Sequence, residues 1–243
     1  MRATTLERTV AELVLERPAR SRLFEALGID YCCGGKKTLQ HACDSKKLAL
    51  PQITQLLEML DAAPEPELQT SFDTMALGDL IENIIETHHH YLQEELPRLS
   101  AMLEKVARVH GDREARLESM GRIFGPFVQE MTQHMMKEEQ VLFPAIARMA
   151  STGAKVAACF GSVAHPIAQM EAEHADAGSA LEQLRALSDD FTPPDWACNT
   201  YRALLDGLHD LELNMHAHVH KENNILFPKA IRLEESLTGE ANL

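Results

Sequence analysis

From Leu77 onward apolar residues recur every three or four positions: Leu77, Leu80, Ile81, Ile84, Ile85, Leu92 and Leu96. That is the period of an amphipathic helix. Extended along the chain, it predicts four long helical segments, Asp79–Arg108, Arg113–Ala150, Ala158–Leu187 and Pro194–Glu234. The breaks between them read HGDRE, STGAK and SDDFTPPDW, rich in turn formers. No run alternates apolar and polar residues as a strand does. The pattern predicts an all-α chain whose long helices form an up-down four-helix bundle.

The first 60 residues carry shorter patterns. Leu6, Val10, Leu13 and Val14 predict a helix over Thr5–Arg17, and a second covers Arg20–Leu27 and ends at Gly28. A loop containing GIDYCCGG follows, then a helix near Leu39 and another opened by Pro51. DAAPEPELQTSFD, Asp61–Asp73, has lost the period and gained proline, so it reads as a linker. The expected organisation is a small helical domain over 1–60, a linker over 61–74 and a bundle over 75–236.

Within the bundle the chain repeats itself. HMMKEEQVLFP, His134–Pro144, returns as HVHKENNILFP, His218–Pro228, at an offset of 84. The other two helices echo each other at an offset of 85, which pairs His89 with His174. Each half is then a helical hairpin with one His on its first helix and His-x-x-x-Glu on its second. Residues four apart share a helix face. His134, Glu138, Val141, Leu142 and Ala145 should form one inward stripe, and His218, Glu222, Ile225 and Leu226 the other. Lys137 and Lys221 point off these stripes. Glu139 reads as dispensable by comparison, because Asn223 replaces it in the second copy. Pro144 and Pro228 each remove a helix hydrogen bond, so a kink or break is expected just past the site.

A buried carboxylate needs a partner. Two of them facing each other across a bundle, with four imidazoles at the same level, suit a pair of cations. Imidazole and carboxylate without thiolate favour iron, zinc or manganese. Two Glu can each bridge two ions and leave two His to cap each one. The expected site is therefore a non-haem di-iron centre held by His89, His134, His174, His218, Glu138 and Glu222, bridged further by an oxide. A ferritin-like arrangement competes with it, because Glu86-x-x-His89 and Glu171-x-x-His174 are also present. In the favoured arrangement Glu86 and Glu171 stand behind the ligands or line the approach. His88 lies near the same face as His89 and is an alternative ligand, whereas His90 is turned away.

Composition narrows the partners. With 37 acidic against 23 basic residues the net charge is −14, which disfavours nucleic acid and anionic membranes. No apolar run reaches the length of a bilayer span or of a signal-peptide core. Five Cys, an odd number, fit a reducing compartment without a disulfide framework, so the cytoplasm is the expected location. Cys43, Cys159 and Cys198 read as small buried apolar residues. His41, His110 and His209 read as solvated, His165 as a helix-start residue, and His216 and His220 as outward-facing. Trp196 reads as a packing residue.

His-x-x-x-Glu followed by Phe-Pro, in four helices, resembles the haemerythrin-like di-iron bundle. With GIDYCCGG ahead of it, the chain resembles the repair-of-iron-centres family, the YtfE/ScdA type, over nearly its whole length. The resemblance implies a cytoplasmic, often dimeric protein that mends iron–sulfur clusters damaged by nitric oxide or peroxide. Its partners would be the damaged cluster proteins, and its small ligand nitric oxide or O2. The same ligand set, His89, His134, Glu138, His174, His218 and Glu222, follows by position. Cys32 and Cys33 become candidates for passing on iron or nitric oxide. Vicinal cysteines close only a strained, easily reduced ring. Two other functions are compatible with the residues: a haemerythrin-type sensor or carrier of O2 or nitric oxide, and a ferritin-like di-iron oxidase.

Overall fold

The computed structural model describes residues 7–62, 72–155 and 160–239. Among them there is no strand, and the one isolated bridge joins Thr9 to Thr38. None of the described helices is long and apolar enough to cross a membrane.

Four short helices make the N-terminal unit: α1 (Val10–Glu16), α2 (Arg20–Ala26), α3 (Leu39–Ser45) and α4 (Leu50–Ala62). The first begins later than the apolar period suggested, and Thr5 and Leu6 lie outside the described residues. Thr9 sets the start. Its hydroxyl accepts from the Glu12 N–H at 3.2 Å, while the Glu12 carboxylate accepts from the Thr9 N–H at 2.9 Å. Val10, Leu13, Phe24, Leu39, Ile53 and Leu57 fill the centre of this unit. Arg20 clasps it by reaching Glu16 at 2.6 Å and Asp61 at 2.7 Å.

The bundle consists of four rods. The first runs from α5 (Leu77–Ile84) through a π turn at Ile85–His89 into α6 (His90–His110). The second joins α7 (Arg116–Lys137), a π turn at Glu138–Leu142 and α8 (Phe143–Thr152). The third is α9 (Ala164–Leu187). The fourth joins α10 (Asn199–Lys221), a π turn at Glu222–Leu226 and α11 (Phe227–Gly239). α7 packs on α6 and α9, and α10 packs on α6 and α9.

The bundle core is two apolar clusters separated by a polar layer. Leu80, Ile84, Leu142, Phe143, Ile167 and Leu226 belong to one cluster. Leu92, Leu99, Phe124, Met135, Leu181 and Leu211 belong to the other. Along the chain the first and third rods pass from the former to the latter, and the second and fourth rods pass back. Neighbouring rods are therefore antiparallel, as an up-down bundle requires. His89, Glu138, His174 and Glu222 fall at the crossing point of each rod.

The prolines do not break their helices. Just before each one the helix widens into a π turn, with the Phe143 N–H reaching the Glu138 carbonyl and the Phe227 N–H reaching that of Glu222. In the second rod the wider turn shifts the inward stripe by one residue. Val141, expected inside, is 46 % exposed, and Phe143 is buried in its place. π turns of this kind concentrate at functional sites. The last rod starts at Asn199 rather than Pro194, because Cys198 takes an extended conformation as the capping residue.

Candidate metal centre

Six side chains meet in the polar layer, and all are buried: His89, His134, Glu138, His174, His218 and Glu222. They form two groups of four. His89, Glu138, His218 and Glu222 can each point one ligand atom into a cluster with all atoms within 4.8 Å of one another. His134, Glu138, His174 and Glu222 do the same. Both carboxylates belong to both groups, and each imidazole belongs to one.

The donor chemistry fits cations. Glu138 and Glu222 are 0 % exposed, yet both Glu138 oxygens and Oε2 of Glu222 lack a hydrogen-bond partner among the described residues. The nearest imidazole nitrogens stand slightly off, with His89 Nε2 3.4 Å and His134 Nε2 3.3 Å from Glu138 Oε2. His174 Nε2 is 3.1 Å from Glu222 Oε2, and His218 Nε2 is 3.0 Å from Glu222 Oε1. Imidazole nitrogens also face one another, at 3.2 Å for His89–His218 and 3.0 Å for His134–His174. Nitrogen and oxygen lone pairs converging this closely in a buried layer call for positive charge between them.

With no cation bound, protons supply that charge. Burial opposes a charged His134, but Glu138 outweighs it, helped by Glu222 and Glu173, and lifts its pKa to about 9. Burial likewise opposes charge on His89 and His174, and the neighbouring glutamates still push both up. Burial and the repulsion of Glu222 oppose ionisation of Glu138, whereas His134 and His89 hold its pKa down. His218 and His174 do the same for Glu222 against its own burial.

Behind these residues stands a set of contacts that sequence reasoning missed. Glu139 is not dispensable: its Oε1 accepts from His89 Nδ1 at 2.8 Å. In the second half Asn223 Oδ1 fills the same place, 2.8 Å from His174 Nδ1. The two residues differ in charge but share an acceptor oxygen, which is all the imidazole needs. Glu173 accepts from His134 Nδ1 at 2.9 Å and from Lys137 at 2.5 Å. Such partners fix the imidazole tautomer and raise its basicity. The repeated Leu-Phe-Pro also gains a purpose. Phe143 stacks on His89 with ring centroids 5.7 Å apart, and Phe227 stacks on His174 at 6.1 Å.

Glu86 and Glu171, expected near the centre, are on the outside. Glu86 faces His90 at 3.5 Å and Glu171 pairs with Lys36 at 2.8 Å. In each Glu-x-x-His the Glu falls outside the inward stripe, which removes the ferritin-like ligand set. His88 is buried but belongs to neither cluster. It stacks on His218 at 5.2 Å and donates from Nδ1 to Asn214 Oδ1 at 3.0 Å.

The Cys32–Cys33 loop docks on the wall of the centre. Cys33 Sγ lies 3.4 Å from the carbonyl oxygen of His174. The two thiols are 4.0 Å apart and form no disulfide. Asp30 ties the loop, accepting from the Cys32 N–H at 3.0 Å and the Gly34 N–H at 2.7 Å. The hydrogen bond between the thiols pushes Cys32 up, with burial and Asp30 adding to it. The same bond lowers Cys33 against the effect of burial. His216 and His220, expected to face outward, face this docked unit. His216 pairs with Glu25 at 2.9 Å, and His220 is buried against Tyr31 with its Nδ1 3.3 Å from the Tyr31 carbonyl. Asn224 also donates to the Cys32 carbonyl at 3.2 Å. Gly35 makes the loop possible, since a Cβ there would lie 2.4 Å from the Tyr31 carbonyl and 2.9 Å from Ala11 Cβ. Gly35→Ala is expected to lower stability by about 1–3 kcal/mol, read as a drop in thermal midpoint, whereas Gly78→Ala, with open space around it, leaves the midpoint unchanged or slightly raised.

Of the other cysteines, Cys43 is buried, as expected, and Cys159 lies outside the described residues. Cys198, expected to be buried, is exposed at the far end of the bundle with its Sγ 3.3 Å from His110 Nε2. Its place at the cap of α10 puts it beyond the packed length of that helix.

Residues 80–230 match the family described as the hemerythrin HHE cation binding domain, and residues 6–61 match a domain of unknown function named ScdA_N. The chain is 40% identical over 228 residues to the iron-sulfur cluster repair protein YtfE of Musicola paradisiaca, covering 94% of this chain and 98% of that protein. The chain belongs to the YtfE family of iron–sulfur cluster repair proteins. Other relatives carrying that name come from Pectobacterium carotovorum, 39% identical over 94% of this chain and 98% of the relative, and Yersinia pseudotuberculosis, 37% identical over 93% and 97%. The haemerythrin match spans all four rods and both copies of the internal repeat.

Proposed function

We propose that this chain repairs iron–sulfur clusters, with damaged cluster proteins as its partners, and that its buried centre holds two iron ions. In this reading His89 and His218 would hold one ion, His134 and His174 would hold the other, and Glu138 and Glu222 would serve both. The observation that carries it is the sharing of both carboxylates by two otherwise separate imidazole pairs. Iron bound there brings exchangeable coordination positions and one-electron chemistry to the centre, and is itself the material a damaged cluster lacks.

The protein's own groups then have distinct tasks. Glu138 and Glu222 supply two negative charges in a dry layer and set the spacing of the two positions. Glu139, Glu173 and Asn223 hold three imidazoles with Nε2 turned inward. Phe143 and Phe227 keep water from the outer faces of His89 and His174. Cys33, whose thiol pKa is lowered and whose sulfur lies against the His174 backbone, would bind a metal ion leaving that side as its thiolate, giving up its proton. Oxygen ligands release iron more readily than thiolates do, which suits a centre that gives its metal away.

The test is restoration of a nitric-oxide-damaged cluster enzyme. Iron-loaded protein should return activity in proportion to the iron it loses, and metal-free protein should return none. Reversible binding of nitric oxide or O2 with no iron lost and no activity restored would instead point to a sensor or carrier.

A further inference from the structure

The internal repeat relates the two metal positions by a pseudo-twofold exchange, and at one pair of matched positions an acceptor behind the imidazole is lost. An imidazole that ligates through Nε2 carries its proton on Nδ1, and that N–H needs an acceptor. Three of the four have one. His89 donates to Glu139, His134 to Glu173 and His174 to Asn223, at 2.8, 2.9 and 2.8 Å. Glu139 and Asn223 are equivalent under the exchange.

His218 is the exception. Its Nδ1 is buried without a hydrogen-bond partner among the described residues. The offset that pairs His89 with His174 also pairs His88 with Glu173. Thus the position that puts a carboxylate behind His134 puts an imidazole behind His218. His88 cannot replace the carboxylate. Its ring lies parallel to that of His218, with 7° between the planes, and so presents a face rather than an in-plane lone pair. Its Nδ1 is already committed to Asn214, and its Nε2 is itself buried without a partner.

We infer that the two metal positions are held unequally, with the His89–His218 position the weaker, because His88 replaces the carboxylate that orients the matching imidazole in the other half. The inference rests on the six-residue centre proposed above. Loss of one such partner typically weakens a metal site about 10–100-fold. The ion between His134 and His174 therefore fills first, and the ion between His89 and His218 is the first to leave. The centre then has one retained ion and one exchangeable ion.

The test is anaerobic titration of metal-free protein with ferrous ion against a competing chelator, with crystals grown at one equivalent and the iron located by anomalous scattering. Two affinities separated by about tenfold or more are expected, with the first iron between His134 and His174. Glu173→His should bring the two affinities to within about threefold, by giving the strong position the support the weak one has. His88→Glu should narrow the gap from the other side. Both variants are read against circular dichroism to confirm folding, and the wild-type measurement stands without them. Two ions bound with equal affinity, or the first ion between His89 and His218, would overturn the inequality and leave the centre itself intact. No iron at the six residues would overturn the centre and the inequality together.

Discussion

Glu222→Ala is expected to strip both metal ions from the centre, whereas Glu86→Ala and Glu171→Ala leave both in place. Glu222 belongs to each four-residue group, so its loss removes a ligand and a negative charge from both positions at once. Two imidazoles, His174 and His218, also lose their nearest carboxylate. Affinity should fall more than about 100-fold at each position, beyond what loss of a mere supporting partner produces. Glu138→Ala should behave in the same way. His174→Ala differs, because His174 serves one group, and it should release one ion preferentially. Elemental analysis of purified protein separates these patterns. Retention of one ion per chain in Glu222→Ala would show that Glu222 serves a single position, and the shared-carboxylate arrangement would fall. The surface variants are the control for folding, since Glu86 and Glu171 pair with His90 and Lys36, away from the centre.

That Glu222 and Glu86 can be told apart at all shows where sequence reasoning is strong. The helix period and the repeat select faces, and six residues on inward faces at matched positions became one buried cluster. The period failed where the helix itself changed. Val141 satisfies an α-helical count from His134, but the π turn at Glu138–Leu142 adds a residue to the turn and rotates Val141 outward. Nothing local in the composition announces that turn, although the Phe-Pro that follows two of the three is consistent with it. The supporting contacts failed for a different reason. Glu139 acts on His89 and Glu173 acts on His134, each across two helices, and one-dimensional patterning has no term for such pairs. Comparing Glu139 with Asn223 by charge hid their common role as acceptors. His216 and His220 flank His218 on its helix, so the helical period turns them away from the bundle interior. The N-terminal unit covers that face through Tyr31 and Glu25, and a contact between two folded units is not written in the period of either.

The second large effect is on pH. Metal can enter the centre only as protons leave it, because imidazoles ligate in their neutral form. In the metal-free protein His134 holds its proton up to about pH 9. Below that value the apparent affinity for ferrous ion should fall by about tenfold per pH unit from His134 alone. The raised pKa values of His89 and His174 steepen the slope. At pH 7 metal uptake should therefore release at least about one proton per chain, measurable as a dependence of the binding heat on the ionisation enthalpy of the buffer. Stability of the metal-free fold moves the opposite way. A His whose pKa is raised on folding contributes stability that is complete below its unfolded value of 6.5 and is lost as pH rises through about 9. For buried His134 this amounts to about 3 kcal/mol. The thermal midpoint of metal-free protein should thus fall between pH 6.5 and 9, while that of iron-loaded protein changes little, and the gap between them should widen with pH. The cause is one substitution of charge for charge: protons hold Glu138 and Glu222 together when metal is absent, and metal holds them when the protons have gone. A gap that stays level or narrows as pH rises would mean that the imidazoles are neutral in the metal-free protein, and that the two carboxylates are held together by something other than charge.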